Sequence, residues 1–413
     1  MAIGIPAIQT VAEEQVASDP YGLEQVFLDE APYGRQSWGT VIDEFSRIET
    51  ITQQAVEQVL VGGRDIHQAF TEAAQTIDEE LERAAKYSGE VTELKGNREI
   101  IGFLIFVAAL AALIAAAFYL WNSRRERSPL ALGYTFLAPS FIVLLVFIFT
   151  PVFFSLYLSF HQWNVVAANK PFVGLENFSQ LLRDRTFWNS FKNTLIYTLH
   201  VPVGMAISLF IAMLMNRKIR GVNLLRTIFF LPSVASFVAV ALVWQWMYHP
   251  EFGLLNYLLS FFGVERIGWL SDPNLALVSV MILSVWMGIG YQMVIFLAGL
   301  QSIPEELYEV ALTEGASAWQ RFRYITLPLL KPTTFFVLIT SVIGSFQVFT
   351  LVYVMTQGGP LRATDVVVFH IYKNAWDYLK MGYASAISWV LFIVIMLITW
   401  AQFRFIGKGV EYR

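Results

Sequence analysis

Seven stretches of roughly twenty apolar residues, all without Asp or Glu, constrain this chain more than any other feature. They fall at 100–121, 137–160, 194–215, 227–247, 276–297, 334–355 and 384–403. At about 1.5 Å per residue, each can cross a hydrocarbon core of about 30 Å. Lipid offers peptide groups no water, so such stretches must satisfy their backbone within a helix. The expectation is an all-α membrane protein. A composition that is 56% hydrophobic and only 15% charged agrees with it.

Charge is spread unevenly. Residues 1–99 hold 19 of the 32 acidic side chains, which sets a soluble acidic segment ahead of the membrane part. Lys and Arg gather in short stretches on one side of the spans: Arg124, Arg125 and Arg127; Arg217, Lys218, Arg220 and Arg226; Arg321, Arg323 and Lys331; Arg404, Lys408 and Arg413. Short cytoplasmic loops retain positive charge, so these stretches are placed inside. Seven crossings then put the C-terminus in the cytoplasm and residues 1–99 outside. Residues 1–10 show neither the basic region nor the apolar core of a signal peptide. The chain has no cysteine, which excludes disulfides. Trp121, Trp163, Trp269 and Trp400 lie near span ends and suit an interfacial belt, whereas Trp286 lies deeper.

The segment between the fifth and sixth of these runs is polar and organised. Pro304, Glu305 and Glu306 suit the positive end of a short helix. Gly315 permits a sharp turn, residues 316–324 can form a second short helix, and Pro328 is expected to stop it. A helix–turn–helix projecting from the basic face of the membrane reads as a docking element for a cytoplasmic partner.

The spacing E-x-A-x3-G-x9-I-x-L-P is carried by Glu309, Ala311, Gly315, Ile325, Leu327 and Pro328. It resembles the signature loop of importer-type ABC transporter permeases, with Val310 standing where Ala is more usual. Phe172-Val173-Gly174-Leu175-Glu176-Asn177-Phe178, Asn193-Thr194, Gly268-Trp269-Leu270-Ser271-Asp272-Pro273 and Ile303-Pro304-Glu305-Glu306-Leu307-Tyr308 extend the likeness. So do Gly358-Gly359-Pro360 and Gly382-Tyr383-Ala384. From about residue 130 onward the chain resembles carbohydrate ABC permeases, the larger permeases of maltose/maltodextrin importers most of all.

The resemblance implies a six-helix permease domain over residues 131–413, preceded by an extra transmembrane helix and cytoplasmic linker over 100–130. It implies an ATPase-docking loop at 301–333, formed by Glu309, Ala311, Gly315, Ala316, Trp319, Ile325, Leu327 and Pro328. The implied setting is multi-pass in a cell inner membrane. The implied partners are a second permease, two ATP-binding subunits, an extracytoplasmic sugar-binding protein and a sugar; no nucleic-acid partner is expected. No cofactor is expected in the chain itself, ATP and Mg being held by the partner ATPases. The residues agree: no G-x4-G-K-[ST] loop occurs, and the five His residues lack metal-ligand spacing. The chain is expected to be a transport subunit and not an enzyme.

A hydroxyl-rich substrate needs polar side chains and an aromatic face deep in the membrane. Two runs offer them: Trp286-Met287-Gly288-Ile289-Gly290-Tyr291-Gln292 and Ser341-Val342-Ile343-Gly344-Ser345-Phe346-Gln347-Val348. Ser341, Gly344, Ser345 and Val348 share one helical face. The resemblance implies sugar contacts from Met287, Gly288, Tyr291, Ser341, Gly344, Ser345 and Val348. Ser345 and Val348 replace Asn residues expected in that family. Trp286, Gln292 and Gln347 are added on their chemistry. Helix–helix packing by Gly and Ser is the competing role for this set.

Residues 1–99 hold two helical stripes separated by Gly62-Gly63, with Asp65 and Gln68 spaced as a capping box. The first 30 residues are expected to be irregular. Residues 31–81 resemble the C-terminal tail of extracellular sugar-binding proteins of ABC importers, 63–81 matching the closing helix. The apolar stripes need a cover, either each other or missing lobes. Rival readings are an importer of another polar solute such as glycerol phosphate or a polyamine, an ion-driven carrier, and a signalling or scaffold protein. The carrier reading would require carboxylates inside the spans, and there are none.

Overall fold

The structure, a computed structural model, describes residues 41–60, 62–88, 129–164, 170–217 and 220–406. The predicted span at 100–121, the basic stretch around Arg124, residues 1–40 and the tail bearing Lys408 and Arg413 lie outside the described residues. Those that are described form helices and no strand; a single isolated bridge pairs His161 with Phe172.

The N-terminal compact unit takes in α1 (Val41–Leu60) as far as Val56 and the whole of α2 (Ile66–Ser88). The break falls at the glycine pair: Gly63 adopts φ +63°, a left-handed conformation that glycine accepts without penalty. The two predicted stripes meet each other, with Ile51 and Ala55 packing on Ala73 and Ile77. That contact is small, and Val56, Ile66 and Phe70 stay exposed.

The second unit contains α3 (Pro129–Leu144), α4 (Thr150–Ser159), α5 (Glu176–Arg183), α6 (Arg185–Thr198), α7 (His200–Met215), α8 (Val222–Val234), α9 (Phe237–Met247) and α10 (Leu254–Ser260). There follow α11 (Ala276–Gln301), α12 (Glu305–Thr313), α13 (Ala318–Arg321), α14 (Leu327–Leu329), α15 (Lys331–Phe346), α16 (Thr350–Met355), α17 (Val367–Tyr372) and α18 (Met381–Phe405). Four stretches are long and apolar enough to cross a membrane: Pro139–Ser159, Arg185–Met215, Ala276–Gln301 and Met381–Phe405. Two bent pairs would raise the number to six among the described residues, α8 with α9 at 97° and Ala318–Leu329 with α15 at 65°.

Two predicted spans are therefore not continuous helices. The run at 227–247 turns at Ala235 and Ser236, whose ψ values of 151° and 127° are extended. Pro232 supplies the cause, since it cannot donate to the preceding turn and weakens the helix just before the bend. The run at 334–355 stops at Phe346, and α16 starts only at Thr350. Pro328 also departs from expectation, because it does not stop its helix. A π-turn over Phe322–Thr326 precedes it and the chain stays helical through Leu329. The same device occurs at Leu145–Phe149 ahead of Pro151. Widening the helix by one residue accommodates a proline that has no N–H to give.

One core cluster joins Val201 and Met205 of α7, Met293 and Phe296 of α11, Val337 and Phe346 of α15, and Ile387 of α18. A second joins Tyr197, Ala241, Leu283, Val352 and Phe369. Several blocks singled out in the sequence prove to be staples. The Asn177 amide donates to the Ser159 and His161 carbonyls, fastening α5 to the end of α4. The Asn193 amide donates to the carbonyls of Arg362 and Asp365, and Thr194 Oγ1 accepts from the Val367 amide. A Cβ at Gly382 would collide with the His161 carbonyl oxygen, so only glycine lets α18 approach there.

Candidate functional site

The polar elbow is built as two short helices locked by capping at both sides of one turn. α12 ends in a Schellman motif: the Ala316 amide donates to Ala311 O at 2.8 Å and the Gly315 amide to Leu312 O at 3.0 Å. Gly315 sits at φ +80°, which a Cβ would oppose. Two residues later Ser317 opens α13 with a capping box shared with Gln320. The Tyr308 and Thr326 hydroxyls bond at 3.0 Å and tie α12 to the π-turn.

Ile325 packs against the main core, while Ala311, Ala316 and Leu327 are half-buried. Glu309, Gly315, Trp319 and Pro328 are exposed. Around them Val310, Leu312, Trp319 and Tyr324 expose large apolar surfaces, Trp319 at 69% and Tyr324 at 73%. These large apolar side chains stand out on an otherwise polar elbow.

The sequence-derived substrate residues divide into two groups. Trp286, Tyr291, Gly344 and Gln347 are exposed along α11 and α15, and the space beside Gly344 is open. Gly288, Ser341 and Val348 are half-buried. Met287 is buried in the second core cluster. Ser345 is buried too, and its hydroxyl bonds Thr198 Oγ1 at 2.8 Å and the Val342 carbonyl at 3.0 Å. The Gln292 amide lies between Ser208 and Ser341. Gly290 is a packing residue: a Cβ there would collide with the Phe229 carbonyl oxygen of α8. Trp286 faces Trp244 with ring centroids 5.4 Å apart.

One buried polar cluster escaped the sequence reading. At the start of α6, Asp184 caps the helix through the Thr186 amide at 2.8 Å and accepts from the Tyr383 hydroxyl at 2.8 Å. His370 Nε2 lies 3.6 Å from Asp184 Oδ2, and its Nδ1 lies 3.8 Å from Asp365 Oδ2. Burial alone would raise the Asp184 pKa, but His370, Tyr383 and the Thr186 amide together hold it well below the usual carboxylate range. At Asp365 burial prevails over His370 and Arg362, and the carboxyl is pushed up. The only available signal was the Asp184-Arg185-Thr186 N-cap pattern; the His370 contact spans 186 residues of sequence.

The helical fold and its apolar spans place the chain among membrane transport permeases. Residues 204–410 match the family described as "Binding-protein-dependent transport system inner membrane component", and the chain belongs to it. It is 38% identical to the trehalose/maltose transport system permease protein MalF of Thermococcus litoralis, over 65% of this chain and 91% of that protein. It is 35% identical to the sn-glycerol-3-phosphate transport system permease protein UgpA of Agrobacterium fabrum, over 68% and 96% respectively. In structure it superposes on a chain of a bacterial alginate ABC transporter crystallised with its alginate pentasaccharide-bound periplasmic protein. That match has a TM-score of 0.59 and 26% identity, and covers 66% of this chain and 92% of the other.

Proposed function

We propose that the chain is the transmembrane permease subunit of an ATP-driven importer for a sugar or oligosaccharide, working by alternating access. The elbow at 301–333 carries this reading. It is held by caps on both sides of its turn, exposes large apolar side chains among polar ones, and is joined directly to α11 and α15, which bear the candidate substrate residues. Two ATPase subunits closing on ATP and Mg would move the elbow, and the helices would follow as rigid bodies. ATP chemistry belongs to those partners, since this chain carries no phosphate-cradling loop. A second permease completes the pathway, and an extracytoplasmic binding protein delivers substrate, as a periplasmic protein sits on the related alginate transporter.

In this reading the domains are 1–99, 100–130 and 131–413, the first being an extracytoplasmic helical module related to a sugar-binding-protein tail. The N-terminus lies outside the cell membrane and the C-terminus inside. Trp286 and Tyr291 supply aromatic faces, Ser341 and Gln347 supply hydrogen bonds, and Gly288 and Gly344 leave room for a ring. Met287, Ser345 and Val348 shape the wall behind them.

Likeness to UgpA makes glycerol phosphate the second reading. A phosphate would call for Arg or Lys at its site, and α11 and the part of α15 beyond Lys331, which bear the candidate residues, carry neither. Purification from native membranes tests the assignment. ATPase subunits should co-purify, and maltose or trehalose should stimulate their hydrolysis more than sn-glycerol 3-phosphate does. Purification of the chain without any ATPase would refute it.

A further inference from the structure

The Gln292 amide is engaged at both ends. Its Oε1 accepts from the Ser208 hydroxyl of α7 at 3.0 Å, and its Nε2 donates to Ser341 Oγ of α15 at 3.1 Å. Ser208 is fully buried. The bridge is closely packed: a Cβ at Gly204 would lie 3.6 Å from Oε1 and one at Gly288 3.8 Å from Nε2, both ordinary van der Waals contacts.

The three bridged residues also share a depth. Measured from Met215, Gln301 and Lys331, the helix ends on the elbow side, they lie about 11, 14 and 15 Å along their axes. That is close to the middle of a core of about 30 Å. Water does not compete for hydrogen bonds there, so a polar side chain must be held by its neighbours.

α11 leads into the elbow and α15 leads out of it, whereas α7 is joined to them through packing and this bridge. We propose that Gln292 is a positioning residue that clamps α7 to the two helices flanking the elbow. A displacement of the elbow then arrives at mid-membrane as motion of one three-helix body. The inference rests on the importer reading. It takes Gln292 out of direct substrate contact and leaves that role to Ser341, Tyr291 and Gln347.

The test uses the assembled complex in nanodiscs, and a chain without native cysteine allows clean labelling. Spin labels at Phe210→Cys and Phe336→Cys, both exposed, report α7 against α15. A second pair, Trp319→Cys with Phe141→Cys, both exposed, reports the elbow against α3, which lies outside the three-helix body. Distances are measured without nucleotide and after trapping with ATP and vanadate. In the wild type the first pair should stay narrow and unchanged while the second shifts.

In Gln292→Leu the first pair should broaden by several ångströms on trapping, while the complex still assembles and Tm falls only modestly. Ser208→Ala should broaden it less, and the double variant should be no worse than Gln292→Leu, since a single bridge is lost. Should Gln292→Leu fail to assemble, Ser208→Ala carries the same comparison. Narrow, unchanged distributions in every variant would overturn the clamp and leave the importer reading standing. A wild-type second pair blind to nucleotide would overturn the importer reading and the clamp with it.

Discussion

Replacing Gly315 with alanine isolates the contribution of one dihedral angle to docking. The residue lies at φ +80°, and a Cβ built there meets nothing within 4 Å. Alanine would therefore add no external clash, and its whole effect would come from the left-handed backbone. That conformation costs an L-residue about 1–2 kcal/mol. The Schellman bonds before the turn and the capping box after it leave the chain no other path without breaking one of them. A penalty of about 1–2 kcal/mol corresponds to a factor of about 5–30 in the population of the intact elbow. If the elbow is what the ATPase grips, affinity for that subunit should fall by up to the same factor. Gly315→Asn should lose less, because asparagine tolerates the left-handed region. Gly315→Pro should lose most, because its φ is fixed near −65°. The assay is titration of purified ATPase subunit onto nanodisc-held permease, with membrane insertion and Tm as controls. Equal affinity for wild type, alanine and proline variants would refute the reasoning, since the turn could not then be presenting the docking surface.

Gly290→Ala drives a methyl group into the α8 backbone and should cost about 1–3 kcal/mol, as overpacking does, read as a lowered Tm in detergent. Ser345→Ala removes the bond to Thr198; such interhelical bonds in membranes average about 0.6 kcal/mol, so Tm should fall slightly while the sugar KM stays unchanged. A rise in KM would instead make Ser345 a ligand. The lowered Asp184 pKa adds stability that is fully present above the unfolded value of 3.8 and is lost progressively as pH falls below it toward the depressed folded value. Acid should therefore reduce Tm, and Asp184→Asn should start lower and lose less on acidification. Asp365 has the opposite sign: its raised pKa means that ionisation destabilises, so Asp365→Asn should blunt the loss of Tm as pH rises above 3.8.

The helices were legible because apolar length and charge asymmetry are properties of sequence alone. The elbow was legible for a related reason, since Glu305, Gly315 and Pro304 act within a few residues of themselves. The bend at Ala235–Ser236 and the break at Gln347–Phe349 were not, because the apolar runs pass through both unchanged. Pro232 was the one local hint at the first of these. Pro328 misled, since the compensating π-turn at Phe322–Thr326 has no composition of its own. Within the two runs that bear the candidate site, Gly290 and Ser345 carried the right chemistry for packing and for binding alike. Only the position of Phe229 and Thr198 separates those roles, and both are distant in sequence. The contact of Asp184 with His370 was hidden for the same reason, being 186 residues long, and only the N-cap pattern at Asp184 hinted at it.

Sidedness of the elbow bears most directly on the whole account. A single Trp319→Cys in this cysteine-free chain can be probed with a membrane-impermeant maleimide in right-side-out spheroplasts and in inverted vesicles. Labelling only in inverted vesicles, and its suppression when ATPase subunits are bound, is the predicted result. Labelling from outside, or labelling indifferent to the ATPase, would contradict it.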